Sequence, residues 1–112
     1  MRSLSGKGIA EETFHWLALS LISGVGCILF KRLLDRFKTP EAVFRASKAD
    51  LLSVEGLGEK VAGEIQRGPF EKIVERELYL IEKVGATIVT FQDENYPRRL
   101  KDIYDPPPLL YV

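Results

Sequence analysis

The sequence predicts a mainly α-helical chain that ends in two β-strands, and three observations lead there. Apolar residues recur at helical spacing from Glu11 to about Gly85. Two Gly-x-Gly turns, Gly24-Val25-Gly26 and Gly56-Leu57-Gly58, interrupt that pattern 32 residues apart. After Gly85 the chain becomes β-branched and aromatic, the composition of strands. A length of 112 residues admits one domain, or a small domain and part of a second.

The elements follow in order. Residues 11–21 form the first helix, with Phe14, Leu17, Ala18 and Leu21 as its apolar stripe. The first glycine turn ends it. The second helix, residues 27–37, buries Leu29, Phe30, Leu33, Leu34 and Phe37 and turns Lys31, Arg32, Asp35 and Arg36 to solvent. Thr39-Pro40 is an N-cap followed by a proline at the first helical position, which opens a short helix over residues 40–46. Ser47 begins another, with Asp50 at capping-box spacing. The second glycine turn ends it, and a helix over residues 59–67 follows. Gly68-Pro69 is a boundary. The longest helix spans residues 69–83, striped by Phe70, Ile73, Val74, Leu78, Ile81 and Val84, with Gly85 as its C-terminal cap. Residues 87–91 are a strand and residues 97–103 one or two helical turns. The prolines at 106–108 make an extended segment, and residues 109–112 begin another strand. Residues 1–10 read as a loose leader. A chain that stops inside a strand reads as the front of something longer.

Composition limits the function. Sixteen Lys and Arg balance sixteen Asp and Glu, so any attraction for nucleic acid must be local. The single cysteine, Cys27, excludes an internal disulfide and suits a reducing cytoplasm, with a small buried apolar role. No apolar run is long enough to predict a membrane span. His15 has no ligand partners at metal-site spacing, so no metal or cofactor is expected. There is no phosphate-cradling glycine loop, no paired catalytic carboxylates and no triad, so no enzyme activity is expected.

The glycine turns carry the chemistry. Aligned on them, Leu19 matches Leu51, Ile22 matches Val54, Val25 matches Leu57, Leu29 matches Val61 and Leu33 matches Ile65. That is the pattern of a tandem helix-hairpin-helix. Glycine permits positive φ and leaves room for a second backbone. The helix start that follows has unpaired N–H groups and a favourable dipole, which suit a DNA phosphate. A Gly-x-Gly between helices also serves as a plain corner, so both readings stand for each copy. Candidate DNA contacts are Gly56, Gly58 and Lys60 in the second hairpin and Gly24 and Gly26 in the first. The second is the better candidate on its flanks, although Glu55 and Glu59 oppose phosphate; the first looks more buried. Arg98, Arg99 and Lys101, and then Lys31 and Arg32, are secondary candidates for backbone contact, against the alternative of ordinary solvated faces.

Trp16-Leu17-Ala18-Leu19, the two glycine turns and Phe37-Lys38-Thr39-Pro40-Glu41-Ala42 resemble the N-terminal region of the DNA-processing protein A (DprA/Smf) family. Asp93-Glu94-Asn95-Tyr96-Pro97-Arg98-Arg99-Leu100 and the run from Ile103 through Pro106-Pro107-Pro108 to Val112 resemble that family's lead into its Rossmann-like domain. The resemblance covers about residues 14–112. It implies a SAM-like helical domain over residues 11–85 and the first strands of a truncated Rossmann-like α/β domain over residues 86–112. It also implies a non-enzymatic protein that binds incoming single-stranded DNA in natural transformation and helps load the RecA recombinase. The family's main single-strand site lies in a Gly-Ser-Arg loop that has no counterpart here, which leaves the helical domain an accessory role. The competing expectation is a protein-interaction or self-association module without DNA contact. A helix-hairpin-helix glycosylase would continue in helices, where this chain turns to strands.

Overall fold

A computed structural model describes residues 11–102 and 107–112, apart from the side chains of the first two of these. The expected leader and residues 103–106, which include Pro106 and the end of the expected helix over 97–103, lie outside the described residues. The elements are α1 (Glu11–Ser20), α2 (Cys27–Phe37), α3 (Pro40–Arg45), α4 (Lys48–Leu52), α5 (Glu59–Arg67), α6 (Glu71–Lys83), β1 (Ile88–Thr90), α7 (Arg98–Lys101) and β2 (Leu109–Tyr111). The chain is mainly helical, a tandem of helix-hairpin-helix units with a small two-stranded sheet at its C-terminal end.

Local chemistry sets the helix ends. Thr39 Oγ1 accepts the Ala42 N–H at 3.1 Å, and Pro40 occupies the first turn, so α3 starts there. Ser47 Oγ accepts the Asp50 N–H at 3.1 Å and opens α4. At the end of α6, Gly85 has φ +77°. Its N–H reaches the Glu82 carbonyl and the Ala86 N–H reaches the Ile81 carbonyl, each at 3.0 Å, which is a Schellman cap. Lys38 does the same work after α2 with φ 78°, a conformation unusual for a residue with a Cβ. The longest helix begins at Glu71 rather than at 69, because Phe70 is a non-helical N-cap with ψ 89°.

Two apolar clusters meet on α1. Leu17 and Ala18 join Val74, Leu78 and Ile81 of α6, with Phe14 and Leu21 at the edge. Trp16, Leu19 and Ile22 face the other way, into the hairpin core with Phe30, Leu33, Leu51 and Ile65. The single stripe expected for α1 is therefore one of two faces, and the helix runs between both cores. The five aligned pairs of the repeat all belong to the hairpin core, with Val25 and Val61 at its margin.

The strands pair antiparallel, with Ile88 opposite Tyr111, Val89 opposite Leu110 and Thr90 opposite Leu109. Backbone bonds from Thr87 to Val112 and from Phe91 to Pro108 extend the ladder at both ends. Ile88 and Leu109 pack on the α1–α6 cluster, and Phe91 packs on the hairpin core. No helix among the described residues is long and apolar enough to cross a membrane.

Candidate nucleic-acid interface

The two hairpins have one backbone design. In the first, Val25 N–H bonds to the Ile22 carbonyl at 3.1 Å; in the second, Leu57 N–H bonds to the Val54 carbonyl at 3.1 Å. Gly24 and Gly56 carry φ +94° and +88°, where a side chain is strained. Gly26 (φ −95°, ψ −173°) and Gly58 (φ −94°, ψ 179°) are the N-caps of α2 and α5. Their carbonyls accept the first intrahelical bonds, from Phe30 at 2.9 Å and Ala62 at 3.0 Å. Neither N-cap supplies a side-chain acceptor, so the leading N–H groups of both helices have no capping oxygen.

The glycines of each pair differ in purpose. A Cβ on Gly24 would sit 2.7 Å from Val61 Cγ2 of the second hairpin. A Cβ on Gly56 would sit 2.8 Å from Arg32 Nη1 of the first. Positive φ calls for glycine at both positions, and at Gly24 the press of the second hairpin adds to it. At Gly26 and Gly58 a Cβ would meet nothing within 4 Å, and φ is ordinary. The fold does not require glycine there, and the space over both helix starts is open to an approaching group.

Arg32 links the two turns. Its Nη1 donates to the Glu55 carbonyl at 2.9 Å. An open groove of about 490 Å³ lies alongside, lined by Gly24, Gly26, Arg32 and Gly56 together with residues 27–29. The groove gathers four of the predicted site residues. Gly58 and Lys60 stand outside its lining, exposed on the second turn. Lys48 Nζ lies 3.1 Å from Glu59 Oε1 and offsets one of the two acids beside that turn.

Two expectations need correction. Cys27 is exposed rather than buried, and Ile28 is 45% exposed. Both sit on the first turn of α2, where the dipole end faces outward; Leu29 is the first residue of that helix to enter the core. The first hairpin is therefore as open as the second.

The remaining cations are dispersed. Lys31 lines a different pocket, with Trp16 and Phe30. Arg98 and Arg99 are exposed on α7. Lys101 Nζ stands over the rings of Phe91 (5.3 Å) and Tyr96 (5.9 Å), a cation–π position. Tyr96 is buried, its hydroxyl donates to the Pro107 carbonyl at 2.6 Å, and its ring meets Phe91 edge-on. Burial and then the nearby Cys27 push its hydroxyl above the usual phenol value. Among the described residues no group of His, Cys, Asp and Glu is placed to hold a metal.

Sequence reasoning placed Arg32 on a solvated face and missed its cross-hairpin bond. Nothing local marks it, since the partner lies 23 residues away.

Residues 17–68 match the family of SAM-like helix-hairpin-helix tandems. Over 106 residues the chain is 37% identical to Protein Smf of Synechocystis sp., an alignment covering 90% of this chain and 25% of the relative. This chain is a homologue of the Smf (DprA) proteins. The Smf homologue spans about a quarter of the length of the curated relative it matches. Its tandem is a domain of the DNA-binding type. No solved structure matches the Smf homologue.

Proposed function

We propose that this chain is the N-terminal portion of a DNA-processing protein, that its helical region over residues 11–85 makes an accessory contact with the DNA backbone, and that residues 86–112 begin a Rossmann-like domain. The observation that carries the DNA contact is the open space over Gly26 and Gly58, at two uncapped helix starts, with Arg32 of the first hairpin bonded to the turn of the second. Phosphate oxygens accept from such N–H groups and are favoured by the helix dipole. Gly24, Gly26, Arg32 and Gly56 form the groove, and Gly58 and Lys60 extend it on the second turn. Lys31, Arg98, Arg99 and Lys101 add sequence-independent attraction along a strand. The protein's partners are then incoming single-stranded DNA and, through the rest of the protein, the RecA recombinase in transformation and recombination. The reading assigns no enzymatic step and no cofactor. The balanced charge sets the affinity of this region in the non-specific range, about 10⁻⁴ to 10⁻⁶ M.

The test uses Gly26→Asp and Gly58→Asp together. Aspartate is a better N-cap than glycine, and both sites have room for it. The variant keeps its stability while placing two carboxylates where phosphate would sit. Fluorescence anisotropy of a labelled single strand should then rise with the wild type and stay flat with the variant. Equal binding by the two would overturn the hairpin contact.

A second reading rests on α6. Ile73, Leu80 and Val84 share one face at 54%, 43% and 78% exposure, although the helix also buries Val74, Leu78 and Ile81. An apolar face of that kind suits protein contact. Concentration-dependent sedimentation together with no DNA-induced change would favour it.

A further inference from the structure

A second cavity lies between α2 and the segment that joins β1 to β2. It is an open pocket of about 310 Å³, within the range of small-ligand sites. Trp16 and Phe30, stacked with centroids 5.2 Å apart, form its floor, and the half-buried Phe91 ring stands at its wall. Lys31 and Asp35, on one face of α2, and Lys38, just past the end of that helix, all line it. Lys38 Nζ donates to the Asp35 carbonyl at 3.0 Å, which keeps that ammonium at the rim. It shares only Cys27 with the hairpin groove.

We propose that this pocket takes one nucleotide unit whose base carries an exocyclic amino group. The base lies against the face of Phe91 away from Lys101, its amino group donates to the Asp35 carboxylate, and its phosphate meets Lys31 or Lys38. Each part follows from the lining. An aromatic wall stacks a planar heterocycle of any sequence. A carboxylate accepts from an amino group and disfavours a carbonyl at the same place. Two ammonium groups bracketing an apolar floor suit a ring joined to an anion better than either alone. The unit is supplied either by a free nucleotide or by an unpaired stretch of a single strand. In the second case the pocket rests on the DNA-binding reading above and adds a preference for unpaired bases.

The experiment titrates the whole chain with dAMP, dTMP, inorganic phosphate and the octamers of dA and dT. Trp16 is the sole tryptophan, so its fluorescence reports the floor, while amide shifts locate the contact. The expected result is quenching by dAMP with shifts at Lys31, Asp35 and Phe91. dTMP should bind about tenfold more weakly, and inorganic phosphate should leave Phe91 unmoved. In the paired Gly26→Asp and Gly58→Asp variant, an octamer of dA binding about tenfold more tightly than dAMP identifies the strand as the source, and equal affinity identifies the free nucleotide. Lys31→Glu, at an exposed helical position, should weaken dAMP, while the paired Gly26→Asp and Gly58→Asp variant should not. Shifts confined to residues 24–29 and 56–61 would overturn the pocket and leave the hairpin contact standing. No response to dAMP or to either octamer would overturn both.

Discussion

Arg32 of the first hairpin donates a hydrogen bond to the backbone carbonyl of Glu55 in the turn of the second. The bond joins two segments that share a sequence pattern and gives them a common groove. Arg32→Ala should cost about 1 kcal/mol by urea unfolding, the ordinary net value of one such bond. It should also weaken single-strand binding, because the guanidinium lines the groove. An unchanged midpoint and unchanged binding would show that the turns hold their positions without it.

The two glycines of the first turn should respond differently to the same change. Gly24→Ala puts a Cβ at positive φ and 2.7 Å from Val61 Cγ2, a backbone and packing conflict worth about 2 kcal/mol. Gly26→Ala meets open space and an ordinary φ, so its cost stays under about 1 kcal/mol, from the poorer N-cap. Thermal melts of the two variants check the contrast. Equal losses would contradict the division of roles between the first and second glycine.

Lys38 holds φ 78° at the end of α2, a conformation that glycine adopts without cost. Lys38→Gly should stabilise the chain by about 1 kcal/mol, read as a higher denaturation midpoint. The change also removes a rim cation of the nucleotide pocket, so the same variant should bind dAMP less well while being more stable.

Alkaline titration follows from two tyrosines. Tyr96 is shifted upward by burial and then by Cys27. Tyr111 is shifted upward by burial and then by its hydrogen bond to Glu77 Oε2 at 2.8 Å. In both, the folded state holds the phenol proton more tightly than the unfolded chain does. Their stabilising contribution is therefore fully present below pH 10.0, the ordinary value, and is lost as pH rises through the raised folded values. Absorbance at the phenolate band should show two tyrosines ionising late. Tyr111→Phe should remove one of them and, with it, that tyrosine's share of the stability lost at alkaline pH. Ionisation of all tyrosines in one step near the ordinary value would contradict the assignment.

Most of the helical fold was legible because it is written locally. Thr39-Pro40 and Ser47 mark their helix starts by capping, and the repeated apolar spacing around two glycine turns carries the tandem. The split faces of α1 were less legible. Four consecutive apolar residues, Trp16 to Leu19, satisfy any stripe, and only the presence of α6 on one side and the hairpins on the other divides them. The exposed Cys27 was misread because an apolar run at a helix start looks the same whether it faces in or out. The groove and the Lys38–Phe91 pocket depend on segments far apart in sequence, and no local pattern encodes such an encounter.

Contact between the hairpin turns and a DNA phosphate is read out by amide chemical-shift mapping during titration with single-stranded DNA. The N–H groups of residues 26–29 and 58–61 should move first, with shifts that fade as salt rises. Shifts that appear elsewhere while those amides stay fixed would contradict it.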